Sequence, residues 1–224
     1  MSANLIALLI EATGQTLYMV AISTLLGTMF GLPLGVFLAI SQRGELLSAP
    51  WVNKVLGLVV NATRSVPFII LVVAIIPFTR AIAGTSIGTT AAIVPLTIAA
   101  VPFIARLVEN AIREVDSGLI EAARAMGATP FQIIRKVLVP EALPSITLGL
   151  TLAVVSLIGY SAMVGAVGGE GLGDLGIRYG YQRFMPDVMA VVVVILIVLV
   201  QLVQSIGEWI AARVDKRAPK GRGQ

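Results

Sequence analysis

Long apolar runs with few or no charges constrain this chain more than any other feature. Residues 17–40 contain no charged side chain, and similar runs follow at residues 55–78, 87–107, 145–167 and 188–206. A helix needs about 20 apolar residues to cross the hydrocarbon core of a bilayer. Of the 224 residues, 57% are apolar and 12% are charged, which is far from the composition of a water-soluble protein. The sequence therefore predicts an all-α integral membrane protein with five transmembrane helices.

The apolar runs divide the chain into three parts. Residues 1–16 are predicted to form a short amphipathic segment at the membrane interface, because Glu11 interrupts the apolar run and no basic residue precedes it as in a secretory signal. Residues 17–212 form the predicted transmembrane domain, which includes a cytoplasmic coupling loop at residues 108–144. Residues 213–224 form a basic cytoplasmic tail, which we interpret as an orientation marker that contacts lipid headgroups.

Small residues and prolines within the spans predict how the helices pack. Gly27, Gly31 and Gly35 recur every four residues, so they lie on one helical face where another backbone can approach closely. We interpret this face as a packing surface within the subunit. Pro95 and Pro102 interrupt the third span, where prolines either kink a packed helix or free carbonyl groups beside a water-filled path.

Basic residues are distributed unequally between the two sides of the predicted spans. Cytoplasmic loops of membrane proteins carry an excess of Lys and Arg, so we assign the richer side to the cytoplasm. The amino terminus is then outside and the carboxyl terminus inside. The cytoplasmic side receives Arg43, Lys54, Arg106, Arg113, Arg124, Arg135, Lys136, Arg213, Lys216, Arg217, Lys220 and Arg222; the external side receives Arg80, Arg178 and Arg183; and Arg64 lies near the cytoplasmic end of its span.

The residue types that are missing exclude several functions. The chain has no cysteine and no histidine, which excludes thiol catalysis, disulfides and the commonest metal ligands, and we expect neither a metal nor a cofactor. Ionisable groups are absent from the middle of the predicted spans, which disfavours ion-coupled transport and a membrane enzyme. The chain contains no phosphate-binding loop of the form GxxxxGK[ST]. Any uphill transport therefore draws its energy from a partner.

A glycine-rich stretch at residues 171–176 fits the dinucleotide-binding pattern GxGxxG. This pattern binds a nucleotide when it lies between a strand and a helix of a soluble crossover unit. Here it lies in the predicted external loop between the fourth and fifth spans. We therefore predict a flexible or tightly turned loop and no nucleotide site.

The loop between the third and fourth spans contains a first predicted short helix. Asp116 and Ser117 offer an N-cap, and Gly127 stands where a helix stops. The helix between them carries more apolar and small residues than two or three turns can bury against their own loop. These residues are Leu119, Ile120, Ala122, Ala123 and Met126.

A second short helix is predicted to follow directly. Thr129 provides its N-cap, Pro130 stands at the first helical position, and Gln132 completes a capping box. We predict that this helix ends at Pro140. The two helices form a compact knob (residues 116–140), which either folds back onto the membrane ends of the spans or docks into a groove of another protein.

The knob resembles a known signature. Glu121-Ala122-Ala123, then Gly127, then Val137-Leu138-Val139-Pro140 are similar to the EAAx3Gx9IxLP motif of permease subunits of bacterial ATP-binding-cassette importers, with Val in place of Ile and Leu. The resemblance implies that the knob is a coupling helix seated in a cytoplasmic ATPase, so that ATP hydrolysis belongs to the partner and this chain is not an enzyme. The coupling residues that it implies are Glu121, Ala122, Ala123, Met126, Gly127, Ala128, Thr129 and Pro130.

The resemblance covers nearly the whole chain and extends to methionine-uptake permeases. It implies a subunit of the bacterial inner membrane that works as a homodimer with two ATPase subunits and carries D- and L-methionine delivered by an external substrate-binding lipoprotein. No nucleic-acid partner is implied. The stretches that carry this likeness are residues 64–70, 91–97, 102–106, 159–163 and 177–182.

Two further surfaces are expected from the residue types. We predict that Tyr160, Ser161 and Met163 line the translocation pathway, because a thioether and small polar groups suit an apolar amino acid that passes without tight binding; helix packing is the alternative for each. The external loop at residues 168–184 is rich in aromatic and basic residues, which are typical of contact patches and of membrane interfaces. Its predicted contacts with the binding protein are Arg178, Tyr179, Tyr181 and Arg183.

Alternative functions remain at this stage. The same machine could carry another small amino acid or a peptide, since substrate choice depends partly on the separate binding protein. In a different class, a secondary transporter or channel would act without an ATPase and use an ion gradient. A membrane enzyme would need a convergent polar cluster, which the sequence does not show.

Overall fold

The computed structural model describes residues 3–42 and 46–215. These residues form helices and connecting turns and contain no strand, which confirms the all-α class. Arg43 and residues 216–224 of the predicted basic tail lie outside the described residues. The helices are α1 (Ala3–Ile40), α2 (Pro50–Ser65), α3 (Phe68–Ala74), α4 (Ile76–Ala83), α5 (Thr89–Arg113), α6 (Ser117–Ala125), α7 (Pro130–Ile133), α8 (Val139–Gly165), α9 (Gly171–Leu175) and α10 (Pro186–Val214), with π-helical turns at Ile134–Leu138 and Gly176–Tyr181.

Four helical stretches of the described chain are long and apolar enough to cross a membrane. They are Asn4–Ile40, Thr89–Arg113, Pro130–Gly165 and Pro186–Val214. A fifth apolar stretch consists of α2 and α3, which pass the same test together but meet at an angle of 102°. The predicted number of five spans is reached when this bent pair counts as one.

The second span is not the single helix that was predicted for residues 55–78. Its helix breaks between Ser65 and Phe68, where Val66 has an extended backbone with φ −81° and ψ 126°. Pro67 explains the break, because proline has no N–H to donate and disfavours helical geometry in the residue before it. The break turns α3 toward α5 and α8.

The glycine face of α1 packs as predicted. A Cβ atom on Gly27 would lie 2.7 Å from Cβ of Ala100, and a Cβ atom on Gly31 would lie 2.8 Å from the carbonyl oxygen of Val101. Gly35 approaches the backbone of Ala105 at least as closely. The three glycines therefore allow α1 and α5 to pack backbone to backbone within the subunit, which confirms the interpretation of this face.

The amino-terminal part of α1 is continuous with the first span. The helix runs from Ala3 to Ile40 without a break near residue 16, so the sequence boundary between a separate segment 1–16 and the span is not a boundary of the helix. Leu5 and Leu9 are buried against Leu172 and Val188 of α9 and α10. At 38 residues, α1 is longer than a helix needs to cross a bilayer, and this packing holds its first turns against α9 and α10. The interfacial position of residues 1–16 stays a prediction.

The segment between α5 and α8 is shorter than the coupling loop predicted for residues 108–144. Helix α5 continues to Arg113, and α8 begins at Val139. The second knob helix does not end at Pro140 either, because α7, the π turn and α8 form one stretch, Pro130–Gly165. Val139 donates its N–H to the carbonyl of Ile134, so the wider π turn immediately precedes Pro140. The proline is accommodated near the first turn of α8, where its missing N–H is tolerated.

Candidate functional site

The first knob helix begins and ends as its sequence predicts. Asp116 is the N-cap of α6, and its carboxylate accepts a hydrogen bond of 2.7 Å from the N–H of Gly118. At the other end, Gly127 has φ +77°, the left-handed conformation that glycine adopts without a Cβ penalty. The N–H of Gly127 bonds to the carbonyl of Arg124, and the N–H of Ala128 bonds to that of Ala123. This pair of bonds is the Schellman motif, which ends the helix in one defined geometry.

The second knob helix starts from the predicted capping box. The Thr129 hydroxyl accepts from the N–H of Gln132, and the Gln132 side chain accepts from the N–H of Thr129. Pro130 is the first residue of α7. The single residue Ala128 lies between the Gly127 turn and the Thr129 cap, so the two helices of the knob meet in a short, fully hydrogen-bonded corner.

The knob has a buried inner side and an exposed outer side. Ala123 and Ile133 are buried in the main core of the protein, and Ala128 packs against that core. Ala123 therefore does not lie on the exposed surface where sequence reasoning placed the alanines. Met126 is 81% exposed and Phe131 is 68% exposed. The other predicted coupling residues on the exposed side are Glu121, Ala122, Gly127, Thr129 and Pro130.

Phe131 was absent from the predicted coupling residues. It follows Pro130 directly and its side chain is exposed, as is that of Met126, so it adds an aromatic ring to the exposed side of the knob. Two large exposed apolar side chains within six residues make this part of the knob a candidate contact surface. The sequence could have indicated this exposure, because Phe131 is the second residue of a predicted helix that is too short to bury a phenylalanine ring.

An ion cluster centred on a buried carboxylate lies directly before the knob. Glu109 is 2% exposed, and its two carboxylate oxygens bind the guanidinium groups of Arg106 and Arg113. Arg106 also donates a hydrogen bond of 2.6 Å to the side-chain oxygen of Asn61 on α2. On the far side of the knob, Ser145 of α8 donates a bond of 3.4 Å to Glu114. Polar side chains thus connect α2, α5 and α8 at the base of the knob.

The three predicted pathway residues occupy different environments. Tyr160 is half-buried and its ring stacks on Phe68, with centroids 4.4 Å apart and planes 11° apart. Ser161 is buried, and its hydroxyl donates to the carbonyl of Ile158 at 2.7 Å. Met163 is 46% exposed. Tyr160 and Met163 therefore reach a surface or cavity of this subunit, whereas Ser161 is engaged inside α8.

The glycine-rich stretch 171–176 is helical, and the predicted flexible or tightly turned loop is wrong. Helix α9 starts at Gly171, and its first N–H groups donate to the Gln15 and Thr16 side chains of α1. Gly165 and Gly173 lie so close to neighbouring backbone that a Cβ on either would clash with it. The repeated glycines therefore serve close packing of α9 against α8, which the spacing alone could not distinguish from a turn.

Three of the four predicted external contact residues, Arg178, Tyr179 and Arg183, share one cluster. The Arg183 guanidinium lies 4.4 Å from the centre of the Tyr179 ring, and Arg178 lies 5.6 Å from the same ring. Arg178 also forms an ion pair with Asp174. Tyr181 stands apart from these contacts and is 71% exposed. Among the described residues, no group of three or more acidic side chains is arranged to hold a metal ion.

The arrangement of several apolar spans around a capped knob matches one protein family. Residues 31–218 match the binding-protein-dependent transport system inner membrane component family. The chain belongs to this family. The match covers the described spans α5, α8 and α10 together with the knob, so the resemblance inferred from the knob motif is confirmed.

Individual relatives are similar over most of their length. A probable D-methionine transport system permease protein, MetI, of Vibrio cholerae is 58% identical over 94% of this chain and 93% of its own length. The D-methionine transport system permease protein MetI of Escherichia coli K12 is 52% identical over 74% of this chain and 76% of its own. A solved structure of the MetNI methionine ABC transporter in inward-facing conformations has a TM-score of 0.94 and 50% identity, and covers 96% of this chain and all of that chain.

Proposed function

We propose that this chain is the membrane permease of an ATP-binding-cassette importer for methionine. The single observation that carries the proposal is the knob: a two-helix corner with a fixed glycine turn presents Met126 and Phe131 to solvent above a core that already buries its inner side. Such a surface needs a partner of complementary shape. The similarity to permeases and to a transporter named for methionine supports both the class and the substrate.

The proposed partner of the knob is a cytoplasmic ATPase, with two ATPase subunits serving a dimer of this chain. In this arrangement ATP hydrolysis occurs in the partner, and Glu121, Gly127 and Thr129 lie at the contact. Closure of the two ATPases displaces the knob, and the spans convert that displacement into alternating access. Large apolar side chains on the outer faces of the spans, including Leu25 and Ile197, are exposed in the single subunit and would be covered by lipid or by the second copy.

The proposed orientation places the amino terminus outside and the carboxyl terminus in the cytoplasm. Its support is the excess of Lys and Arg on the side of the knob. The cluster of Arg178, Tyr179 and Arg183, together with the exposed Tyr181, then faces the external lipoprotein that delivers D- and L-methionine. Tyr160 and Met163 are the pathway residues that reach a surface of the subunit, and Ser161 would contribute only if α8 rotates.

A reconstitution experiment tests the proposal. The chain is co-expressed with a candidate ATP-binding-cassette ATPase from the same organism, reconstituted into vesicles and supplied with a candidate binding protein and labelled methionine. We expect uptake that requires ATP and all three proteins. Uptake by this chain alone, driven by an ion gradient, would refute the importer proposal and indicate a secondary transporter. Uptake of a different amino acid in preference to methionine would retain the class and refute the substrate.

A further inference from the structure

An unpaired arginine lines an aromatic cavity at the break of the second span. Arg64, near the end of α2, and Phe68, at the start of α3, lie on opposite sides of Pro67, and the cavity between them has a volume of about 130 Å³. Phe103 of α5 and Tyr160 of α8 also line it. The cavity is therefore bounded by four separate helices.

The guanidinium of Arg64 has no carboxylate partner within the described residues. The ion pairs found there involve Arg106, Arg113 and Arg178. Arg64 instead lies over the Phe103 ring, 5.9 Å from its centre. A guanidinium has five N–H donors in a planar fork that fits a carboxylate with two parallel hydrogen bonds. Because Arg64 lines the cavity, its N–H donors can bind an anion that enters it.

Apart from Thr63, the other side chains that line the cavity are aromatic or aliphatic. Phe68 and Tyr160 are stacked, and Leu71 and Ala99 complete the lining on α3 and α5. The combination of one cation and stacked rings fits a small molecule with a carboxylate at one end and an apolar side chain at the other. A thioether also makes favourable contacts with aromatic rings.

We propose that this cavity, the Arg64 cavity, is a transient binding site for the carboxylate of an apolar amino acid on its way through the permease. The proposal rests on the proposed function, and it assigns a role to the stretch at residues 64–70 that coupling to an ATPase does not explain. Arg64 binds the carboxylate and the rings contact the side chain. The exposed position of Arg64 keeps binding weak enough for release.

A second cavity on α8 provides a comparison. It has a volume of about 300 Å³ and is lined by apolar residues such as Val155, Ile158 and Leu196, together with Gln201 and without a charged side chain. Both cavities are lined by the same helix, α8, but only one contains a guanidinium. Ala99, in the cavity with the guanidinium, and Val155, in the cavity without a charged side chain, can therefore be compared for their preference for anionic reagents.

The test uses the natural absence of cysteine from the chain. Ala99→Cys and Val155→Cys are made separately in the complete transporter, in nanodiscs of a zwitterionic lipid, and each is labelled with an anionic and a cationic methanethiosulfonate. We expect the anionic reagent to be favoured about tenfold at position 99 relative to position 155, which is the effect of one charge-assisted contact. Arg64→Gln is expected to remove this preference, and Arg64→Lys to retain most of it.

Protection by substrate identifies the ligand. Methionine is expected to slow labelling at position 99, whereas methioninol, which lacks the carboxylate, is not. Equal protection by both compounds, or an unchanged charge preference in Arg64→Gln, would overturn the proposal. Protection that requires added anionic lipid in place of methionine would also overturn it, since the cation would then bind a headgroup.

Loss of the proposed function and loss of the Arg64 site give different experimental results. If wild-type vesicles show no ATP-dependent methionine uptake, the proposed function is wrong, whatever the labelling pattern. If wild-type uptake is normal but Arg64→Gln transports at the wild-type rate and methionine does not protect position 99, the function stands and the Arg64 cavity is not a binding site.

Discussion

Neutralising Glu109 is expected to destabilise the base of the knob. This carboxylate is 2% exposed and is the common partner of Arg106 and Arg113. Replacing it with glutamine in Glu109→Gln preserves the shape but leaves two guanidinium groups facing a neutral amide. Removal of one partner from a buried ion pair costs about 3–5 kcal/mol because the remaining charge loses its compensation.

The solvent exposure of Arg106 and Arg113 decides how much unfolding free energy each substitution in the cluster removes. The Arg113 side chain is 42% exposed, so water and salt screen its bond and we expect about 0–1 kcal/mol for Arg113→Ala. The Arg106 side chain is 23% exposed and also binds Asn61, so its loss should cost more. For Glu109→Gln we expect roughly 2–3 kcal/mol, because both arginines retain some access to water.

Thermal unfolding in detergent, followed by circular dichroism, measures this effect. A loss of about 2–3 kcal/mol corresponds to a fall in Tm of roughly 4–12 °C for a chain of this size. Glu114→Gln is the control, since Glu114 lies five residues further on, is exposed and has a single long hydrogen bond to Ser145. An unchanged Tm for Glu109→Gln, or Arg113→Ala as damaging as Arg106→Ala, would refute the assignment of the buried carboxylate as the centre of the cluster.

Three further substitutions test the packing, the coupling surface and the pathway. Gly31→Leu should prevent α1 from packing on α5, since a Cβ alone would lie 2.8 Å from the Val101 carbonyl oxygen. We expect this variant to lose the folded peak in size-exclusion chromatography. The control Gly57→Leu, at a position with open space, should fold normally. Gly127→Asp strains a residue with φ +77° and adds a charge to the outer side of the knob, so we expect loss of ATPase co-purification or hydrolysis without uptake; normal coupling would contradict the docking role. Met163→Ala should change the rate of methionine uptake more than assembly of the complex, and an unchanged rate would remove Met163 from the pathway.

Local chemistry made the knob predictable from sequence. Asp116, Gly127 and the Thr129–Gln132 pair act through hydrogen bonds within a few residues, so their roles can be read from the order of residue types. The glycine repeat on α1 was readable for a related reason, because a spacing of four defines one face of a helix.

The features that sequence reasoning missed depend on distant contacts or on alternative uses of proline. Pro67 breaks a span with a bend of 102°, whereas Pro140 is accommodated after a π turn, and the two prolines look alike in sequence. The stretch at residues 171–176 is helical because Gln15 and Thr16 bind its first N–H groups. Those partners are more than 150 residues away along the chain. The cavity at Arg64 likewise requires four helices to meet.

The uninterrupted stretch from Pro130 to Gly165 joins the two faces of the molecule. Its 36 residues correspond to a rod of about 54 Å. One end is fixed in the Thr129 corner, and the other end, at Gly165, touches the backbone of α9. In the proposed coupling, a displacement of the Thr129 corner reaches the opposite end of this helix as a translation or a tilt. The π turn at Ile134–Leu138 interrupts the α-helical geometry close to this corner, so the size of the transmitted displacement depends on how far that turn deforms.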